Sequence, residues 1–229
     1  VNNVFVYCEI TEERQVAEVS LELLSKGRKL ATELNVKLEA VLIGAGLNDV
    51  EAQVFPYGVD VMHLAEDARL FPYTTLPHTA VLLDVFHKEQ PEIVLFGATS
   101  IGRDLAPRIA SALKCGLTAD CTSLEIGDHM ENRTQTMYKN LLYQIRPAFG
   151  GNIIATIINP ETKPQMATVR EGVMKREIVS PNYKGKVKKI DLSTILKPED
   201  FVVRIIERHL EASKVNIKSA GIIVAGGYG

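Results

Sequence analysis

The sequence predicts an α/β fold, a mostly parallel sheet with helices on both faces and some extra antiparallel strands. Three observations carry that reading. Short apolar runs alternate with segments of helical period from Val4 to Leu113, and the connections between them are brief, as in β-α-β units. The stretch from Pro91 to Ile126 reads as strand, loop and helix in direct succession, the half-unit of a parallel sheet. After Ala119 extended segments follow one another across turn-sized gaps, the pattern of antiparallel pairing at one side of a sheet.

Taken in order, Val4 to Cys8 forms the first strand, and Glu13 to Asn35 carries Val16, Val19, Leu23, Leu30 and Leu34 at helical spacing. Val36 to Ile43 alternates toward Gly44-Ala45-Gly46 and makes the second strand. A short helix from Asp49 to Phe55, the turn Pro56-Tyr57-Gly58 and a strand from Asp60 to Leu64 come next. Leu76, Ala80, Leu83 and Phe86 mark a helix leading into the strand Ile93-Val94-Leu95-Phe96. Beyond Gly97, Leu105, Ile109, Ala112 and Leu113 share one helical face. Pro107 removes a backbone donor there and crowds the carbonyl of Arg103, so either Asp104 caps the helix or the helix kinks early. Asp120 to Ile126, Arg133 to Ile145, Gly151 to Asn159 and Gln165 to Val169 are the extended segments expected to pair antiparallel. Ser180 to Lys189 reads as a solvated basic linker with a short strand at Val187 to Asp191. Pro198-Glu199-Asp200 opens a helix that turns Phe201, Ile205 and Leu210 inward. Ala220 to Ala225 is an apolar strand ending in Gly226-Gly227-Tyr228-Gly229.

A parallel strand without its neighbours cannot bury its faces. The expected organisation is therefore an α/β domain over residues 1–190, then a linker, helix and first strand over 191–229 that begin a second domain.

At 229 residues, 46% hydrophobic and 24% charged, the chain has the composition of an ordinary globular protein with a substantial core. Its net charge of −2 gives no general attraction to nucleic acid or an anionic membrane. No apolar run approaches membrane-spanning length, and the first residues, VNNVFVYCEI, read as a strand rather than a signal peptide, so the expected address is cytoplasmic. Cys8, Cys115 and Cys121 form no paired framework and no metal spacing, which suits free thiols. His63, His78, His87, His129 and His209 are scattered, and each reads as a surface or helix-face residue.

Two stretches are candidates for chemistry. Gly97 and Gly102 have the G-x4-G spacing of a phosphate loop, but Arg103-Asp104 follows where Lys-Ser/Thr would grip phosphate and Mg²⁺. Ser100 beside it is outside any nucleophile-elbow pattern and serves as a helix-start residue. The sharper candidate is Gln144 to Asn152, QIRPAFGGN, in which Pro147 pushes Arg146 into an extended conformation and two glycines permit a tight turn behind Phe149. A permanently charged fork on a rigid turn suits a planar anion; it equally suits a carboxylate across the strand ends.

FGATSIGRDLAPRIASALKCGLTADCTSLEI, RPAFGGNIIATI and PQMATVREGV, in that order along the chain, resemble the α subunit of bacterial electron-transfer flavoproteins related to flavin-based electron bifurcation. The resemblance implies a Rossmann-like domain of the adenine-nucleotide-hydrolase kind, packed against a homologous β subunit, and a C-terminal FAD domain. It implies an electron carrier rather than a complete enzyme, taking electrons from NADH through a β-subunit flavin toward an acyl-CoA dehydrogenase and ferredoxin or flavodoxin. Arg146 is similar to the arginine that reaches the second FAD, held in the β subunit. Non-bifurcating members carry AMP there and tend to lack the RPAFGGN motif. The glycine turn opens the FAD domain, which assigns Gly226, Gly227 and Tyr228 to cofactor contact, although many members have arginine in place of Tyr228. The alternatives are a non-bifurcating α subunit with AMP in its partner, and, in another class, an adenine-nucleotide-binding module built on the Gly97 loop.

Overall fold

The computed structural model describes residues 2–148, 153–209, 220 and 222–227. Seven parallel strands form one sheet in the order β10-β3-β2-β1-β4-β9-β5, and three further strands form an antiparallel sheet in the order β6-β7-β8. The strands are β1 (Val4–Cys8), β2 (Leu38–Gly44), β3 (Val61–Glu66), β4 (Ile93–Gly97), β5 (Leu117–Cys121), β6 (Ser123–Glu131), β7 (Thr136–Pro147), β8 (Ile154–Ile157), β9 (Gln165–Val169) and β10 (Lys186–Lys189). Helices α1 (Glu18–Glu33), α2 (Val50–Val54), α3 (Thr75–Glu89) and α4 (Ser100–Leu113) connect them. The α/β, Rossmann-like expectation holds.

Strand periodicity builds two cores. Val4, Val6 and Cys8 face one side with Leu38, Ala40, Leu42, Ile93 and Leu95, and α1 covers them with Val19, Leu23 and Leu30. Phe5, Tyr7, Val41, Ile43, Val94 and Phe96 face the other side, under Val81, Val85 and Phe86 of α3 and Leu105 and Ile109 of α4. Each fully buried side chain of this size contributes about 1.5–3 kcal/mol. The antiparallel sheet shares the α1 side, through Leu124 and Leu142.

Several elements depart from the expected ones. Gln165–Val169 is a parallel strand inserted between β4 and β5. Its buried first residue explains the choice: the backbone N–H of Gln165 donates to Glu92, while its side-chain Oε1 accepts from Leu142 of β7 at 2.7 Å, tying the two sheets together. The expected strand from Asp120 divides at Thr122, its first part joining the main sheet as the end of β5 and its second opening β6. Helix α1 starts at Glu18, because the preceding residues form a small loop closed by the Ile10–Val16 bridge. Thr99, not Asp104, caps α4: its hydroxyl accepts from Gly102 N–H at 3.0 Å. The helix runs through Pro107 to Leu113, and Asp104 instead accepts hydrogen bonds from Tyr73 and Thr75.

The basic segment before Lys189 is partly tied down. Its short strand β10 pairs with β3, and Tyr183 donates to Asp60 at 2.6 Å. The helix expected from Pro198 is a single 3-10 turn over Pro198–Phe201, after which residues 202–209 have no regular structure; Phe201 is half-buried, Ile205 is exposed and Leu210 lies outside the described residues. Residues 222–227 form no strand and lie exposed, Ile222, Ile223 and Val224 included. No described strand pairs with them, so extended backbone there would leave its hydrogen bonds unmade. Among the described residues no helix is long and apolar enough to cross a membrane.

Gly102 shows how closely α4 sits on β4. A Cβ built there would lie 1.8 Å from the carbonyl oxygen of Gly97. Gly102→Ala must push helix from strand and is expected to destabilise the fold by about 3 kcal/mol, the upper range for overpacking; urea unfolding of the two proteins checks it.

Candidate functional site

In an open parallel sheet the ligand position lies at the carboxyl ends of the strands where the winding reverses. Here that point is between β1 and β4, because β1 leads through α1 to β2 on one side and β4 leads through α4 to β5 on the other. Glu9, the residue after β1, fills it. Its side chain is 5% exposed, and its Oε1 accepts the Thr99 hydroxyl at 2.7 Å beside the first turn of α4. A cavity of about 320 Å³ opens above, lined by Ala98, Thr99, Ser100, Arg103 and Glu171. The seat of a phosphate at the helix N-terminus is thus taken by a carboxylate of the chain itself. Burial pushes the Glu9 carboxyl up to about 7, Thr99 opposes that shift, and the nearby Glu171 adds to it.

The second locus is a cluster of arginines. Asp120, the penultimate residue of β5, has a left-handed conformation with φ of 63° at an irregularity in the β5–β9 register. Its carboxylate accepts from Arg170 through Nη2 at 2.6 Å and Nε at 3.3 Å, and Arg103 reaches it at 3.4 Å. Arg170 first, with Arg103 and Arg146 adding their charge, holds Asp120 below the usual carboxylate range. Cys121 beside it is buried and lifted to about 11 by that burial, against the pull of Arg146. All three cysteines are free thiols, as expected.

Arg146 itself stands in β7, paired with Ala155 of β8. Pro147 follows, and the extended backbone is the one it enforces. Counting by two from the buried Leu142 and Gln144 puts Arg146 on the face turned to the main sheet. Its Nε makes one long hydrogen bond, 3.5 Å, to the carbonyl of Pro147. Among the described residues it forms no ion pair, because Asp120, the carboxylate that senses it, is already engaged by Arg170 and Arg103. The carboxylate-pairing reading of Arg146 therefore finds no partner there. Phe149 to Asn152 lie outside the described residues, between Ala148 and Ile153, whose backbone pairing at 2.7 Å closes the β7–β8 hairpin.

The remaining candidates do not converge on either locus. Gly226 and Gly227 are exposed, and no described atom lies within 4 Å of where a Cβ would stand on either. Tyr228 lies outside the described residues. Of the histidines, His63 is neither on the surface nor on a helix. It is 3% exposed on β3, with Nε2 2.5 Å from Glu39 Oε2. His78 is buried on the inner face of α3, where burial pushes it down to about 4. Glu9, Asp120 and Arg170 escaped sequence reasoning. For Glu9 a signal existed, its place directly after the first strand; Asp120 and Arg170 meet only because β9 is inserted beside β5.

Residues 4–195 match the electron transfer flavoprotein domain. The chain belongs to the electron transfer flavoprotein family. It is 42% identical over 216 residues to electron transfer flavoprotein subunit alpha of Thermoanaerobacterium thermosaccharolyticum, covering 94% of this chain and 62% of that one. It is 37% identical to the acryloyl-CoA reductase electron transfer subunit beta of Anaerotignum propionicum, over 99% of this chain and 65% of that one. It is 34% identical to lactate dehydrogenase (NAD(+),ferredoxin) subunit LctC of Acetobacterium woodii, over 95% and 49%. The chain spans about three-fifths of the length of the first curated relatives it matches.

The buried Glu9 carboxyl makes stability depend on pH. Between the ordinary carboxylate range and about pH 7 the folded chain keeps a proton that the unfolded chain has lost, so stability falls as pH rises through that window and levels off above it. Glu9→Gln is expected to flatten the slope and to be the more stable protein at pH 8 by about 2–3 kcal/mol, as read from denaturant midpoints at pH 5 and pH 8.

Proposed function

We propose that the chain is the α subunit of a heterodimeric electron transfer flavoprotein of the bifurcating type, and that Arg146 is presented to a flavin held by the β subunit. The observation that carries this reading is the half-buried Arg146 guanidinium, set on a hairpin, that finds no carboxylate among the described residues. A planar, permanently charged fork without a counter-ion fits the electron-rich edge of a reduced flavin. When bound, the flavin supplies electron storage and transfer. What this chain contributes is a fixed positive charge, which favours the reduced and negatively charged state.

The same reading makes residues 1–190 the β-facing domain and residues 191–229 the lead into an FAD domain, with Gly226, Gly227 and Tyr228 at its glycine turn. Relatives named as an acryloyl-CoA reductase subunit and as an NAD(+),ferredoxin-linked dehydrogenase subunit support an acyl-CoA dehydrogenase and ferredoxin as electron partners, with NADH as donor; flavodoxin as an alternative acceptor and a cytoplasmic address belong to the same proposal. An adenine-nucleotide module on the Gly97 loop is opposed by Glu9, whose carboxyl takes the Thr99 hydroxyl at the phosphate seat.

Two measurements test the reading on the full-length chain purified with its partner. Released cofactor is expected to be two FAD and no AMP per heterodimer; one FAD with one AMP would make the protein a non-bifurcating carrier. Arg146→Ala is expected to leave the heterodimer intact and to lower the two-electron potential of the β-subunit flavin by on the order of 30–60 mV, the equivalent of one charge-assisted contact. A potential equal to the parent's would remove Arg146 from the flavin site.

A further inference from the structure

Asp120 stands between arginines of unequal hold. Its backbone is fixed from three directions. The Asp120 N–H donates to the Thr168 hydroxyl at 2.9 Å, the Cys121 carbonyl accepts from the Arg170 N–H at 3.0 Å, and the Thr122 N–H donates to the Ile145 carbonyl at 2.8 Å. The end of β5 is thus sewn on one side to the residue after β9 and on the other to the residue before Arg146. These bonds hold the left-handed backbone of Asp120 in place. What can change there is which cation the carboxylate holds.

Arg170 holds it as a fork. Its Nη2 donates to Oδ2 at 2.6 Å and its Nε to Oδ1 at 3.3 Å, the paired geometry from which arginine–carboxylate contacts draw their strength. Arg103 adds a contact of 3.4 Å to the same Oδ1, its Nε being engaged by the Ala98 carbonyl at 2.9 Å. Arg146 is near enough for its charge to help hold Asp120 below the usual carboxylate range, after the larger contributions of Arg170 and Arg103. Among the described residues it forms no ion pair with Asp120. Two guanidinium groups on one carboxylate leave the cluster positive, so a third gains little by joining it. Without Arg170 that balance reverses. The carboxylate keeps one long contact to Arg103, and its paired face opens to Arg146.

We propose that Arg170 is a positioning residue for Arg146: by filling the paired face of Asp120 it prevents that carboxylate from capturing Arg146 and leaves the guanidinium presented to the β-subunit flavin. The proposal rests on the reading of Arg146 given under Proposed function. It adds that Asp120 is the alternative anchor of Arg146 and that Arg170 decides between the two positions. The Asp120–Arg170 pair is half open to water, with Arg170 49% exposed, so its removal costs the fold little.

The test uses the full-length chain purified with its partner subunit, and reads the two-electron potential of the β-subunit flavin. Arg170→Met is expected to lower it by at least half the shift of Arg146→Ala, with the heterodimer intact. Arg103→Met removes the same charge from the same carboxylate but only a long contact, and is expected to shift it less than half as far as Arg170→Met. Arg170→Met combined with Asp120→Asn is expected to restore the parent potential, because an amide offers Arg146 no charge. Arg170→Met added to Arg146→Ala is expected to change nothing further, since the residue through which Arg170 acts is gone. A further drop in that double variant, or an equal shift from Arg103→Met, means that Arg170 acts through its own field and overturns the proposal. So does a failure of Asp120→Asn to restore the potential. A parent-like potential in Arg170→Met while Arg146→Ala shifts it overturns the positioning role and leaves Arg146 at the flavin. A parent-like potential in Arg146→Ala overturns both.

Discussion

The structure depends on β1 being buried on both faces. Its residues alternate between two cores, Val4, Val6 and Cys8 toward α1 and Phe5 and Tyr7 toward α3 and α4. Its backbone is paired on both edges, to β2 and to β4. A strand enclosed in this way has no tolerance for slip, since a shift of one residue would exchange the two faces. The position of its last residues is therefore set by the core, and with it the position of Glu9. That carboxyl is carried into the switch point by the packing of the strand before it, at the energetic cost its raised protonation range records.

The antiparallel sheet depends on the same core at one remove. Leu124 and Leu142 anchor β6 and β7 on the α1 side. The buried Gln165 side chain, accepting from the Leu142 amide, joins β7 to the inserted strand β9. Arg146 lies four residues beyond Leu142 on the same face, and Arg170 directly follows β9. The inserted strand thus draws Arg170 to Asp120 and leaves Arg146 beside an acid already neutralised. One topological choice accounts for Arg146 having no counter-ion among the described residues.

How much of this was legible depended on the range of the interactions. The β-α-β alternation through α4 rests on local period and turn chemistry, and those elements stand where the sequence puts them except for the later start of α1 at Glu18. The extended state of Arg146 was equally local, imposed by Pro147. The parallel insertion of Gln165–Val169 was not legible, because its short gap from β8 imitates a hairpin and only the long-range pairing with β4 and β5 overrides that signal. Thr99 rather than Asp104 caps α4 because Gly102 lets the helix approach the Gly97 carbonyl, a contact between chain segments that no propensity encodes. The start signal at Pro198 was legible, and among the described residues it opens a single 3-10 turn over Pro198–Phe201.

Glu9 and Arg146 together separate the fold from its usual chemistry. In a doubly wound sheet the switch point normally receives an anion at a helix N-terminus. Here that seat holds the chain's own carboxylate, hydrogen-bonded by Thr99 and adjoining the Glu171 side chain. A carboxyl already inside the site takes the Thr99 hydroxyl that an incoming phosphate would use. Arg146, which forms no ion pair among the described residues, stands instead on the β7–β8 hairpin, beyond β5 at the edge of the sheet. A ligand drawn to Arg146 meets a rim rather than a crevice, and a rim encloses a cofactor only when another surface closes over it. The charge distribution therefore argues for recognition shared with a second chain.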